Sequence, residues 1–278
     1  MWIYILIALI SLYLLVYITY LLFGTKVKTR NFVIQTNKIR KEEDKASKIR
    51  LLLVTDLHSC KYGKNQEVLK KMIDDQHPDV ILLGGDIVDD DAPQAGAFEL
   101  LSFIGNKYKT FYVSGNHEYM SKKIKQIKND IRNCNITVLE GDTEKLNVNG
   151  NKINICGIDD PNVGSRKHKE QVDKCGQDID KNVFTVLISH RPELMDIYNK
   201  YSFDLVVAGH AHGGQFAFPL ILPNGLYAPN QGVFPKFTNG MYDLRNGKLI
   251  VSRGLGKNRP YLIPRIFNNP EIITIDLE

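Results

Sequence analysis

Residues 206–215 read VVAGHAHGGQ, two histidines one residue apart at the end of an apolar run. In an extended strand the side chains alternate between faces, so His210 and His212 are expected to point the same way. The glycines behind them let the backbone turn and come close to a ligand. Two imidazoles aimed together at the end of a strand suggest a metal. Residues of matching chemistry close other apolar runs: TDLHS supplies Asp56 and His58, GGDIV Asp86, SGNHE Asn116 and His117, and LISHRP His190 and Arg191. Five of the seven histidines fall in these motifs, leaving only His77 and His168. Taken singly each has a bland reading, an Asp or Asn capping the next helix or a His satisfied in the core. In series they point to one site. Carboxylate, amide and imidazole donors without thiolate suit Mn, Fe or Zn, with Mn the first choice. Cys60, two residues past His58, reads as packing.

The elements that must carry these residues follow from the same pattern. From about residue 49 short apolar runs alternate with amphipathic stretches, which argues for α/β architecture. Strands are expected at 50–55, 79–85, 110–115, 135–140, 184–190 and 204–210, and helices at 65–76, 97–106, 122–133, 167–176 and 193–200. LNVNGNKINI and YDLRNGKLIV each hold a central Asn-Gly, a hairpin signal. EIITIDLE reads as a closing strand. The motif residues then fall at strand carboxyl ends, where parallel α/β sheets bind ligands. Residues 213–240 break the alternation with a long Gly-, Pro- and aromatic-rich segment expected to pack beside the site.

The ordered set D-x-H, G-D, G-N-H-E, H, G-H-x-H, running from Asp56 to His212, resembles the signature of the calcineurin-like metallophosphoesterase superfamily. The flanking GHAHGGQ, the apolar N-terminal run and the ending SRGLGKNRP…NNPEI resemble a narrower bacterial branch, membrane-anchored or exported. That branch includes enzymes acting on a lipid-linked diphosphate, UDP-2,3-diacylglucosamine. The resemblance implies a four-layer αββα sandwich with a two-metal site at the edge of the sheets. Asp56, His58 and His212 would hold one divalent ion, Asn116, His190 and His210 the other, and Asp86 would bridge them. Two ions sharing a carboxylate clamp attacking and leaving oxygens and lower the pKa of a bound water, so that hydroxide forms at neutral pH. His117 and Asn116 are the implied catalytic residues, His117 protonating the leaving oxygen or stabilising charge on it. Arg191 is a candidate for binding substrate phosphate, and Glu118 and Asp89 for orienting ligand imidazoles. Asp159 and Asp160 read as a turn before Pro161. The implied reaction is hydrolysis of a phosphoester or pyrophosphate bond in a phosphorylated or lipid-linked small substrate. A phosphodiesterase or nucleotidase acting on soluble substrates is the alternative, and a catalytically silent interaction module is disfavoured because every ligand position is filled.

Residues 1–23 carry no charged side chain, and a helix of that length would span roughly 34 Å against a hydrocarbon core of about 30 Å. A single-pass transmembrane helix is the expectation, with the lipid bilayer as partner. Residues 26–50 hold nine Lys or Arg against three acids, leaving 27 basic and 28 acidic side chains in residues 51–278. The pI of 8.8 thus belongs to a basic linker, read as residues 24–48, and a specific nucleic-acid footprint is not expected of the near-neutral domain at 49–278. Positive charge lying only after the apolar run predicts a cytoplasmic catalytic domain and contact with anionic lipid. Four cysteines without a C-x-x-C pair fit reduced thiols. Phe216, Phe218, Leu220, Ile221, Leu222, Phe234 and Phe237, with the stretch 261–267, are expected either to seat an apolar substrate chain or to fill a satellite core. Oligomeric state has no signal in the sequence.

Overall fold

The run Ile49–Val54 is apolar at almost every position, as a strand covered on both faces requires. A computed structural model of the chain describes residues 2–23, 26–40, 48–177, 179–218, 220–257 and 265–278, with the side chains of residues 2–15, 17 and 18 in the first helix. The first half runs α1 (Trp2–Phe23), β1 (Lys28–Ile34), β2 (Ile49–Val54), α2 (Glu67–Asp74), β3 (Val80–Gly84), α3 (Ala95–Lys107), β4 (Lys109–Val113), α4 (Asn116–Met120), α5 (Ile124–Asn133), β5 (Thr137–Val138), β6 (Asp142–Val148) and β7 (Asn151–Gly157). The second half adds α6 (Ser165–Gln177), β8 (Phe184–Ile188), α7 (Met195–Tyr198), β9 (Leu205–Ala208), β10 (Tyr227–Ala228), β11 (Gly232–Val233), β12 (Gly240–Asp243), β13 (Lys248–Val251) and β14 (Glu271–Leu277).

Two six-stranded sheets form, in the orders β1-β14-β2-β3-β4-β5 and β12-β13-β9-β8-β7-β6. Side-chain alternation then builds the layers. Leu51, Leu53, Leu82, Phe111 and Val113 of one sheet meet Ile153, Ile155, Val186, Ile188, Leu205 and Val207 of the other in a core between the sheets. The opposite faces, Leu52, Val54, Ile81, Leu83 and Tyr112, pack under Leu69 and Ile73 of α2, Leu100, Leu101 and Ile104 of α3, and Ile127 and Ile131 of α5. Leu187, Val206 and Ala208 face Val172 and Cys175 of α6 and Tyr198 of α7. Within each sheet the central strands run parallel, β2–β3–β4 in one and β7–β8–β9–β13 in the other. Their carboxyl ends therefore open onto common edges.

Several expectations change. Part of the stretch read as a linker is a strand: β1 pairs in parallel with β14 along all seven residues, Lys28 opposite Glu271 to Ile34 opposite Leu277. Residues 41–47 of that stretch lie outside the described residues, as do 261–264 of the second apolar stretch. Around Asn149-Gly150 the expected hairpin forms between β6 and β7, with both turn residues at positive φ, 50° and 79°. The membrane assignment is corrected. Among the described residues no helix is long and apolar enough to cross a membrane. A transmembrane helix, a single-pass membrane location and the cytoplasmic orientation drawn from them do not stand.

Candidate metal centre

Each motif sits in the loop just beyond a strand, and there the backbone reverses through an uncommon conformation. Asp56, His58, Asp86, His210 and His212 have φ of 51°, 48°, 51°, 66° and 47°. A non-glycine residue in this left-handed region costs on the order of 1–3 kcal/mol and persists only when its surroundings hold it. Here they do: the Asp56 N–H donates to Gly85 O at 3.0 Å and the His58 N–H to Asp86 O at 2.9 Å. The His210 N–H donates to Asp56 Oδ1 at 2.9 Å. Two glycines allow the loops to close this tightly. A Cβ on Gly115 would lie 2.2 Å from Asp86 Oδ1, and one on Gly209 2.2 Å from Asp56 Oδ2. Because β9 ends at Ala208, His210 and His212 leave the strand before its alternation can align them, and they join different groups.

Asp56, His58 and His212 each offer a ligand atom within 4.8 Å of the others, and so do Asp86, His190 and His210. His58 Nε2 lies 3.3 Å from His212 Nε2, which is 3.6 Å from Asp56 Oδ1. In the second group His190 Nδ1 donates to Gly84 O at 2.8 Å. That bond turns His190 Nε2 toward Asp86 Oδ2 at 3.1 Å and Asn116 Oδ1 at 3.3 Å. Asp86 Oδ2 joins the groups, for it also lies 3.8 Å from His58 Nε2. This oxygen is buried and accepts no hydrogen bond from the described residues. An orphaned buried carboxylate oxygen among imidazole nitrogens fits a divalent cation.

The electrostatics match that reading. Burial works against the charge of Asp86, yet the surrounding histidines hold its carboxyl well below the ordinary range. Burial would suppress charge on His190, but the Asp86 carboxylate overrides it and pushes the pKa up to about 10. Burial, reinforced by neighbouring cations, drives His210 and His212 well below the usual imidazole value, leaving both neutral as ligands must be.

Around this centre stand residues that hold it. Asp89 Oδ2 lies 3.3 Å from His58 Nδ1. The buried Glu118 carboxylate accepts from the backbone N–H groups of Asp86, Ile87, Val88 and Gly115 at 3.0, 2.7, 3.0 and 2.8 Å. Burial and the Asp86 charge raise the Glu118 pKa to about 7. His117 is placed by its N–H on Asp86 Oδ1 at 2.8 Å and by Nδ1 against Asp90 Oδ1 at 2.7 Å. Arg191 directs its donors at the protein: Nε and Nη2 go to Asp160 at 2.5 and 3.2 Å, and Nη1 goes to Asn230 Oδ1. Sequence reasoning set Asp160 aside as a turn residue and did not single out Asp90, Asn230 or Arg265. Asp90, four positions after Asp86, was within reach of a search for acids near the ligands. Cys60 belongs to neither group; its Sγ accepts the Lys257 N–H at 3.4 Å.

A cavity of about 180 Å³ opens over the centre, lined by Asp86, Asn116, His117, Arg191, His210 and His212 together with Met120, Asn162, Pro229 and Asn230. Pro229 and Asn230 come from the irregular segment after His212, which does pack beside the site.

Comparison with known proteins agrees with this geometry. Residues 49–214 match the family model described as calcineurin-like phosphoesterase. An uncharacterised metallophosphoesterase of Campylobacter jejuni is 30% identical over 239 residues, covering 83% of this chain and 59% of that protein. One from Aquifex aeolicus is 25% identical over 259 residues, covering 91% and 92%. This chain spans only 51% of two similar Helicobacter pylori proteins. The crystal structure of a phosphopantetheinyl hydrolase from Mycobacterium tuberculosis superposes with a TM-score of 0.51 at 12% identity, over 75% of this chain and 91% of that one, a likeness of fold. The chain belongs to the calcineurin-like phosphoesterase family, whose members are metal-dependent phosphoester hydrolases.

Proposed function

We propose that this chain hydrolyses a phosphoester or pyrophosphate bond at a centre of two divalent ions, Mn, Fe or Zn. The observation that carries the reading is Asp86 Oδ2, buried without a hydrogen bond between the two ligand groups. Asp56, His58 and His212 hold one ion, Asn116, His190 and His210 the other, and Asp86 both. When bound, such a pair polarises phosphoryl oxygens and makes water acidic enough to ionise near neutral pH. The chain's own residues do the rest. With Nδ1–H held on Asp90, a His117 imidazolium would carry its second proton on Nε2 at the cavity wall, where it passes to the departing oxygen and leaves the neutral ring. Arg191, fixed by Asp160, lends positive charge to the same wall, and Asn116 helps to seat the phosphoryl group. Glu118 holds the two loops that carry Asp86 and Asn116 in register.

Metal analysis of the purified chain tests this directly. Wild type should approach two ions per chain, and Asp86→Asn should hold fewer than one and fall to background activity on phosphomonoesters, phosphodiesters and pyrophosphates. A folded wild-type chain that takes up no metal under replete conditions ends the reading.

A finer reading is a substrate with an apolar chain, such as a lipid-linked diphosphate of the UDP-2,3-diacylglucosamine kind. In its support, Leu220, Ile221 and Phe234 are 94%, 73% and 66% exposed on the segment whose Pro229 and Asn230 line the cavity. Hydrolysis of a phospholipid ester in vesicles should then exceed that of its water-soluble headgroup analogue. Equal efficiency on both would direct the search to soluble substrates.

A further inference from the structure

We propose that Asn230 and Arg265 make the two metal positions unequal, Asn230 preparing His210 for its ion and Arg265 opposing the ion at His212. The inference rests on the two-ion reading above and concerns groups beyond the ligands themselves.

A neutral imidazole that binds a metal through one nitrogen carries its proton on the other, so the partner of that outer nitrogen decides whether the ring is ready. His210 Nε2 lies 2.8 Å from Asn230 Oδ1. The amide atom is fixed as oxygen because Arg191 Nη1, which can only donate, contacts it too. Arg191 Nη1 also lies 2.8 Å from His210 Nε2 and has a second hydrogen to offer, but Asn230 Oδ1 supplies the acceptor that an Nε2–H needs, so the tautomer with its proton on Nε2 has a partner in place. Nδ1 is then left with a lone pair for the group containing Asp86 and His190. Asn230 stands at φ 60°, in the turn between β10 and β11, so the segment after His212 reaches back to orient the histidine that precedes it.

His212 meets the opposite partner. Its Nε2 faces His58 and Asp56, so metal binding there needs a proton on Nδ1. Nδ1 lies 3.2 Å from Arg265 Nη2, and an arginine has only donors. Arg265 is 1% exposed, and its Nη2 also donates to Arg253 O at 2.8 Å. A donor set against a donor, with no acceptor like Asn230 Oδ1 beside this nitrogen among the described residues, weakens this position. The order of loading follows: the ion at Asp86, Asn116, His190 and His210 enters first and the one at Asp56, His58 and His212 second.

Calorimetric titration of the metal-stripped full chain with Mn²⁺ tests it without reference to turnover. Wild type should bind two ions in two steps at least about tenfold apart, the scale on which partners of metal-binding histidines act. Arg265→Gln, whose amide oxygen can accept from Nδ1–H, should tighten the weaker step by roughly tenfold and leave the stronger one in place. Arg265→Lys still can only donate and should leave the weaker step weak. Because Arg265 is buried, the exposed Asn230 gives a second arm: Asn230→Ala should weaken the stronger step by about 10–100-fold, and Asn230→Asp, which still accepts, should not. Equal steps in wild type, a weaker step untouched by Arg265→Gln in a folded protein, or a stronger step untouched by Asn230→Ala overturns the proposal while the two-ion reading stands. Uptake of fewer than two ions by wild type removes the two-ion reading, and this proposal with it.

Discussion

His117, the proposed proton donor, illustrates how much such a role would depend on the residues around it. Its ring stacks edge-on against His58, with centroids 4.5 Å apart, and its proton position is set by Asp90. His117→Ala should keep its metals and lose roughly 10²-fold or more in rate, the usual contribution of a positioned proton donor. Asp90→Asn should cost less, about tenfold, and change the pH–rate profile, since it disturbs the ring without removing it. Loss of metal from His117→Ala would make the residue structural instead. At this scale the ligand types were legible in the sequence because His, Asp and Asn recur at the ends of apolar runs. Asp160, Asn230 and Arg265 were not, because each meets a partner 20 to 53 positions away: the separations are 31, 20 and 53 to Arg191, His210 and His212. Nothing local marks an asparagine as the acceptor for a distant imidazole.

Among the elements, β14 ties the first sheet together and carries its own charge device. Asp276 is fully buried and takes Arg50 Nε at 2.7 Å and Lys48 Nζ at 2.5 Å. Burial opposes its ionisation, but the bonds to Arg50 and Lys48 outweigh it and hold the carboxyl below the ordinary value. A carboxylate depressed in the folded state contributes stability that is complete above the unfolded pKa, about 3.9, and is lost as pH falls through the lower folded value. Asp276→Asn should therefore lower stability at neutral pH and flatten its decline below about pH 4. Urea unfolding of both chains across that range decides it, and parallel pH curves would count against the assignment. The central strands could be read in advance because both faces are buried. β1 escaped notice because it is an edge strand whose burial alternates, with Lys28, Thr29, Asn31 and Val33 exposed. The pairing of residues at 28–34 with 271–277 depends on a separation that no local pattern reports.

At the scale of the whole molecule, the proposed metal ligands come from loops after β2, β3, β4, β8 and β9, and so from both sheets. Ion binding is then coupled to the global fold: free metal at about 100 times Kd stabilises by roughly 2.7 kcal/mol per site. For a chain of this size that is a rise in Tm of about 5–10 °C. A chelator should reverse it, and a melting curve indifferent to metal would argue that the groups are not joined by ions. Net charge could be apportioned from the sequence alone, but the apolar N-terminal run was over-read, since apolarity does not specify what a helix packs against. The strand that follows that helix also sets a leash. Five residue steps separate Phe23 from Lys28, at most about 18 Å of extended chain, so α1 cannot roam far from the sheet edge whatever it rests on. The same pairing moves the true beginning of the folded unit to residue 28. A truncation at residue 24 would spare the sheet, whereas one at residue 49 would strip a strand from β14, whose seven residues are all buried, and leave a raw backbone edge open to other chains.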